Sequence, residues 1–483
     1  MTADALTRLA NRVMMAAIPG RVLSDDAASW LADGLGGVVL FGGNIDTPAQ
    51  LKALTAAITA TGDRPLIAAD EEGGDVSRLH HRAGSDSPGN LALGRVDDVT
   101  LTEAVAADIG FQLHAAGVTV DLAPSVDVNT NPANPVIGTR SFGADPELVA
   151  RHAVAYVRGL HSAGMIACAK HFPGHGDTSV DSHFGLPRVD GDLEPHLLPF
   201  RAAMAAGVDC VLTAHIVFGE LDDHPATLSR RIVTDLLRTE LGFDGLVISD
   251  SMTMRAVADT YGLEEAGVRA IGAGVDMLCV NSDIPTQLGM CKTLVAAVRS
   301  GRLPEPRLAE AADRVSRLAA SPLSPDRAPP SPGIGMEAAR RALVVTASLP
   351  VDPPMFVVEL AGPRRGVDSE AGSLLTVVRL LEPRADGVQL RGPAATSQAL
   401  DEAVRASVGR HLVVVVRDAY RDHDQREALL HLQRAEPDLV LVGVGMPDDQ
   451  TLAGSGGFLG TCGAARANLT AAAEVLVGRQ VSH

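Results

Sequence analysis

Aromatic side chains are scarce: they make up 3% of 483 residues, with one tryptophan, Trp30. A binding cleft built on stacked Trp and Tyr platforms is therefore excluded. Cysteine is rare too. None of Cys168, Cys210, Cys279, Cys291 and Cys462 forms a CxxC pair, and the first three lie inside apolar runs. They read as small core thiols in a reduced compartment, not as a disulfide framework. Positive charge is in deficit, with a formal net charge of −18 and only three lysines, Lys52, Lys170 and Lys292. Nucleic acids and anionic membrane surfaces need clustered cations, so neither is an expected partner. No run approaches the roughly 20 apolar residues of a membrane span. The stretch 1–15 carries scattered charges, no apolar signal-peptide centre and no lipobox-like cysteine. A cytoplasmic protein with no membrane partner is expected.

What the chain does have is apolar residues, 46% of the total, enough for a large domain and a smaller one. Short apolar runs at 13–18, 37–41, 65–69, 118–123, 165–171, 210–215, 245–249 and 275–280 alternate with helical patterns such as 146–163 and 228–241. Eight strands, each followed by a helix, predict an α/β fold, a (β/α)8 TIM barrel over 1–320. Alternation alone would also fit a doubly wound sheet. Six of the runs end in polar or ionisable residues: Asp70, Asp127, Lys170 with His171, His215, Asp250, and Asn281 with Asp283. In a barrel those ends converge on one face, and packing gives no reason for so many buried charges. A Pro/Ser-rich linker is expected over 321–337, marked by AASPLSPDRAPPSPGIG at 319–335, followed by a small α/β domain over 338–483. That domain has strand-like runs at 342–347, 355–360, 411–416 and 438–444 and no catalytic motif. Its Gly-rich stretch 454–463 lacks the Lys-Ser/Thr of a phosphate loop.

The richest segment is 170–187, KHFPGHGDTSVDSHFGLP, which holds Lys170, His171, His175, Asp177, Asp181 and His183. Asp181-x-His183 lets a carboxylate fix one imidazole nitrogen while the other moves protons. His171, His175, Asp177 and His183 are also possible metal ligands. A solvated loop with capping side chains is the third reading, and spacing alone leaves all three open.

KHFPGHGDTSVDSH resembles the loop signature of β-N-acetylglucosaminidases of glycoside hydrolase family 3, the NagZ type. DEEGG at 70–74 with Arg78, VDLAPSVDV at 120–128, IGTRSF at 137–142, AGMIAC at 163–168, TAHI at 213–216, PATLS at 225–229 and LGFDGLVISDSM at 241–252 extend the resemblance in the family's order. The resemblance implies a retaining enzyme that forms a covalent glycosyl-aspartate, with Asp250 as nucleophile, His183 as acid/base and Asp181 as its partner. It assigns Asp70, Arg78, Arg140, Lys170 and His171 to the sugar and calls for no metal or cofactor; His215, after the sixth strand, reads equally as a substrate-binding residue lining the site or as a satisfied core histidine. His175 and Asp177 are expected to hold the loop's shape. The implied substrates are small carbohydrates: N-acetylglucosaminides from peptidoglycan (muropeptide) fragments or chitin oligosaccharides. Two departures stand out: Asp75 where the family usually has Arg after its DxEGG, and Ser251 after the nucleophile. Alternatives are a phosphorylase on the same scaffold, a β-glucosidase, a metallohydrolase using the His/Asp cluster, and a non-catalytic sugar binder.

Overall fold

The computed structural model describes residues 3–179, 185–322, 324–346, 349, 354–360 and 372–478. The chain forms two compact units: residues 1–72, 102–137 and 143–330, and residues 73–101, 138–142 and 331–483. Among the described residues no helix is long and apolar enough to cross a membrane.

The first unit is a parallel barrel. Its strands are β1 (Met14–Ala17), β2 (Gly37–Leu40), β3 (Leu66–Ala69), β4 (Val120–Asp121), β5 (Ile166–Phe172), β6 (Cys210–Thr213), β7 (Leu246–Ser249) and β8 (Leu278–Val280). They pair in the order β8-β1-β2-β3-β4-β5-β6-β7, and an Ile248–Met277 bridge brings the last strand back to the first. The eight expected runs all supply strands, most of them trimmed at their ends and the fifth running one residue further to Phe172, and the helices lie between them. The strands read as largely apolar runs because both faces are covered, inside by the barrel's own side chains and outside by helices. The inner layer is set by period-two alternation: Leu66 and Ala68, Ile166 and Cys168, Cys210 and Leu212, Leu246 and Ile248 meet Met15, Val39, Val120 and Cys279 in one cluster. All five cysteines are buried free thiols.

The second unit holds a six-stranded sheet of β9 (Val344–Val345), β10 (Met355–Glu359), β11 (Asp386–Gln389), β12 (His411–Val416), β13 (Val440–Gly443) and β14 (Phe458–Gly460). The order is β9-β14-β13-β12-β10-β11, parallel except for β9 on β14. Alternate residues divide between two apolar clusters: Phe356, Val358, Leu412 and Val414 in one, Met355, Val357, Val413 and Val415 in the other. Both faces are therefore covered, as in a doubly wound sheet. Two strands escaped the sequence reading. β11 is the half-exposed, polar DGVQ edge, and β14 lies inside the Gly-rich 454–463 stretch.

Candidate active site

The alternation that fills the barrel also selects what crowns it. On β3 the inward positions 66 and 68 are followed by 70. On β5, 166 and 168 are followed by 170. On β7, 246 and 248 are followed by 250. Those next residues are Asp70, Lys170 and Asp250, at the C-terminal mouth where a parallel barrel presents functional groups. Lys170 is only 2% exposed, and its Nζ lies 2.8 Å from Asp70 Oδ1 and 2.6 Å from Glu72 Oε1. The Glu72 carboxylate is 3% exposed, so the ammonium and its two acceptors form the paired arrangement that buried charges require. Burial pushes the Cys279 thiol far above its usual range. The negative charges of Asp250 and Asp70 push it further, against Lys170. One thiol under the mouth thus feels all three groups. On the neighbouring strand, burial raises the Asp121 carboxyl well above the usual range, and its Oδ1 accepts from the Glu71 N–H at 3.1 Å.

Asp250 is held from its own backbone. The Ser251 N–H donates to Asp250 Oδ1 at 2.7 Å, and the Asp250 N–H donates to the Thr213 carbonyl at 3.2 Å. His215 braces the following residue. Its Nε2 lies 3.0 Å from the Ser251 carbonyl and its Nδ1 2.9 Å from Thr227 Oγ1, which in turn lies 2.9 Å from Thr213 Oγ1. A carbonyl can only accept, so Nε2 carries a hydrogen. The ring is fully buried with both nitrogens engaged inside the protein; the sequence left open whether it lines the site or belongs to the core.

His171 sits where the β5–β6 register slips between Lys170 and Phe172, an irregularity that re-aims one side chain. Its Nδ1 lies 2.7 Å from Asp127 Oδ2, and Ser125 Oγ donates to the same oxygen at 3.0 Å. Asp127 Oδ1 accepts from the His175 N–H at 2.6 Å. Burial alone would raise the Asp127 carboxyl. Attraction to His171 and the hydrogen bond from it, with help from His175, outweigh burial and hold it at about 2. A depressed carboxyl stabilises the fold fully above its unfolded value and loses that contribution as pH falls toward its folded one. The pair should therefore supply about 2 kcal/mol above pH ~4, lost progressively toward pH ~2. Asp127→Asn is expected to be less stable near neutrality and to show a shallower acid loss. Urea midpoints measured from pH 6 to pH 2 would read this, and parallel curves for parent and variant would reject it.

The start of the loop after β5 is tied down. A Cβ at Gly176 would stand 1.7 Å from the Val128 carbonyl oxygen, so only glycine fits there. Asn134 Nδ2 donates to the His175 carbonyl at 2.8 Å, and His175 Nδ1 lies 2.7 Å from Thr178 Oγ1. Thr130 Oγ1 donates to Asp177 at 3.2 Å. Asp181 and His183 lie outside the described residues. Arg78 and Arg140 belong to the second unit; Arg140 is buried, and its carbonyl accepts from Asn90 Nδ2 at 2.8 Å. Among the described residues, no group of three or more His, Cys, Asp and Glu is arranged to hold a metal ion. Sequence reasoning did not single out Glu72, Ser125, Asn134, Thr178 or Thr227. Glu72, Ser125, Thr178 and Thr227 lie inside the DEEGG, VDLAPSVDV, KHFPGHGDTSVDSH and PATLS motifs, which was the available signal; Asn134 lies outside them.

Residues 9–318 match the family described as "Glycosyl hydrolase family 3 N terminal domain". The beta-hexosaminidase A of Pseudoalteromonas piscicida is 36% identical over 317 residues, covering 59% of this chain and 53% of that protein. The chain therefore spans about half the length of that relative. The beta-hexosaminidase LpqI of Mycobacterium tuberculosis is 36% identical over 62% of this chain and 77% of its own. Among solved structures, a glycoside hydrolase family 3 beta-N-acetylglucosaminidase from a Paenibacillus species superposes with a TM-score of 0.89 at 32% identity. That superposition covers 99% of this chain and 97% of the other.

Proposed function

The chain belongs to glycoside hydrolase family 3, and from that premise we propose that it is a retaining β-N-acetylglucosaminidase. It removes terminal β-linked N-acetylglucosamine from peptidoglycan fragments or chitin oligosaccharides. The observation that carries this reading is the convergence of Asp70, Lys170 and Asp250 at the barrel mouth, with the Asp250 carboxylate fixed by the Ser251 N–H.

Asp250 attacks the anomeric carbon and forms an ester to it while the glycosidic bond breaks. His183, oriented by Asp181, gives its proton to the departing oxygen. It then takes a proton from the incoming water, which displaces Asp250 and leaves the sugar with its original anomeric configuration. Asp70, Lys170 and His171 hold the sugar hydroxyls, joined by Arg78 and Arg140. Charged hydrogen bonds of this kind contribute about 1.5–3 kcal/mol each. Asp127 keeps a hydrogen on His171 Nδ1 and so turns Nε2 toward its task. His215 acts through Ser251, keeping the nucleophile's segment in place.

Incubation with an aryl β-N-acetylglucosaminide tests the proposal, with release of the aryl alcohol as the expected result. Running it with and without inorganic phosphate separates hydrolysis from phosphorolysis by the product, free sugar or sugar 1-phosphate. Folded protein that releases no aryl alcohol at any pH would end the proposal.

A further inference from the structure

We propose that Asp75 and Arg417 are positioning residues for substrate binding, through which the C-terminal α/β sheet fixes the two segments that carry Arg78 and Arg140. The inference rests on the proposed role of those two arginines in holding the sugar.

All the groups concerned lie in the second unit. Asp75 Oδ2 accepts from Arg417 Nη2 at 2.8 Å and from Thr139 Oγ1 at 3.0 Å, while Oδ1 accepts from the Ala464 N–H at 2.8 Å. The side chains are 4% exposed for Asp75 and 11% for Arg417. One buried carboxylate thus joins four places: the segment ending in Arg78, the turn containing Arg140, the residue after β12, and the residues after β14. Two of these carry a proposed sugar ligand, three positions and one position away from the contact.

Both ligand-bearing segments are otherwise short and tightly wound. Gly74, at φ +59°, has the Gly89 backbone so close that a Cβ would stand 2.5 Å from Gly89 Cα. Gly94 packs on the Phe142 carbonyl in the same way, and Asn90 Nδ2 holds the Arg140 carbonyl. Arg417 is held rigidly in its turn: its N–H donates to Gln425 Oε1 at 3.0 Å and its carbonyl accepts from Gln425 Nε2 at 3.0 Å. Arg417 is therefore a fixed post on the sheet, and Asp75 is the group that ties both segments to it. Without the guanidinium, a buried carboxylate keeps a hydroxyl and one amide against its charge. The cheapest relief is to move the segment toward water. A shift of about an ångström is enough to spoil a charged hydrogen bond to a hydroxyl.

The experiment uses the full chain and an aryl β-N-acetylglucosaminide, comparing Arg417→Ala, Arg417→Lys, Asp75→Asn, Arg78→Ala and Arg140→Ala. Arg417→Ala and Asp75→Asn are expected to raise KM about tenfold, with kcat within about threefold of the parent. Arg417→Lys, which keeps the charge, should restore part of that loss. Should Arg417→Ala fail to fold, Arg417→Lys and Asp75→Asn carry the test. A rise in KM for Arg78→Ala and Arg140→Ala with none for the Asp75 and Arg417 variants would overturn the inference and leave the function standing. Loss of kcat and melting temperature at unchanged KM would overturn it as well, by making the pair merely structural. Unchanged KM in both Arg78→Ala and Arg140→Ala would overturn the sugar-binding premise, and the inference with it.

Discussion

Asp250→Asn is expected to lower kcat by about 10^4-fold or more, roughly 5.5 kcal/mol of barrier, in a protein that folds as the parent does. The substitution is chosen for what it keeps. An asparagine at 250 still offers an oxygen to the Ser251 N–H, and its backbone N–H still reaches the Thr213 carbonyl. The loop between β7 and the helix Arg255–Tyr261 therefore has no reason to move. What disappears is the negative charge and the ability to form an ester to the sugar. If the proposed role is right, KM stays of the same order while turnover collapses, because the sugar's hydroxyl contacts lie on Asp70, Lys170 and His171. Intact-protein mass spectrometry gives a second reading: with a slow substrate the parent gains the mass of one N-acetylglucosaminyl group, and the variant gains none. A residual kcat within about a hundredfold of the parent, at equal melting temperature, would remove Asp250 from the nucleophile's place.

The barrel was legible because its strands are buried on both faces. Each appears as a largely apolar run of about five to seven residues. The mouth of the barrel was legible for the same reason. Once a run alternates inward and outward, the residue two steps past the last core position must point along the axis. Asp70, Lys170 and Asp250 occupy those positions. What the sequence hid are partnerships between residues far apart in the chain. Asp127 lies 44 residues before His171, and nothing local says that its two oxygens divide between the His171 ring and the His175 backbone. Asp75 stands 342 positions from Arg417; the sequence showed only that Asp75 departs from the family's pattern. His215 read equally as a site residue or a core residue. The Thr227 and Ser251 partners decide which groups its nitrogens meet, and both come from other turns of the fold. β11 and β14 were missed because an edge strand needs no apolar run and glycine carries no side-chain alternation to read.

His183→Ala should separate substrates by the basicity of what leaves. A general acid is worth about 10^2–10^4-fold when the departing oxygen would otherwise leave as a strongly basic alkoxide. A second sugar, as in chitobiose, leaves in that way, and the loss there should reach the full range. A nitrophenolate is a weak base and departs without a proton, so the first step with that substrate should survive the substitution nearly intact. The second step still needs a base to take the proton from water. The variant should therefore release one equivalent of nitrophenol per enzyme in a rapid burst and then slow, with the sugar held on Asp250. Asp181→Asn should reproduce the same contrast more weakly, because the imidazole remains but loses the carboxylate that sets its tautomer. The fixed start of the loop gives this test its sharpness. Gly176 against Val128 and Asn134 against His175 hold the chain up to Thr178 without using either residue, so a change at 183 need not disturb the loop's root. Equal losses on chitobiose and on the nitrophenyl glycoside, with no burst, would mean that His183 supports the loop instead of moving a proton. The acid would then have to be sought on another side chain facing the same mouth.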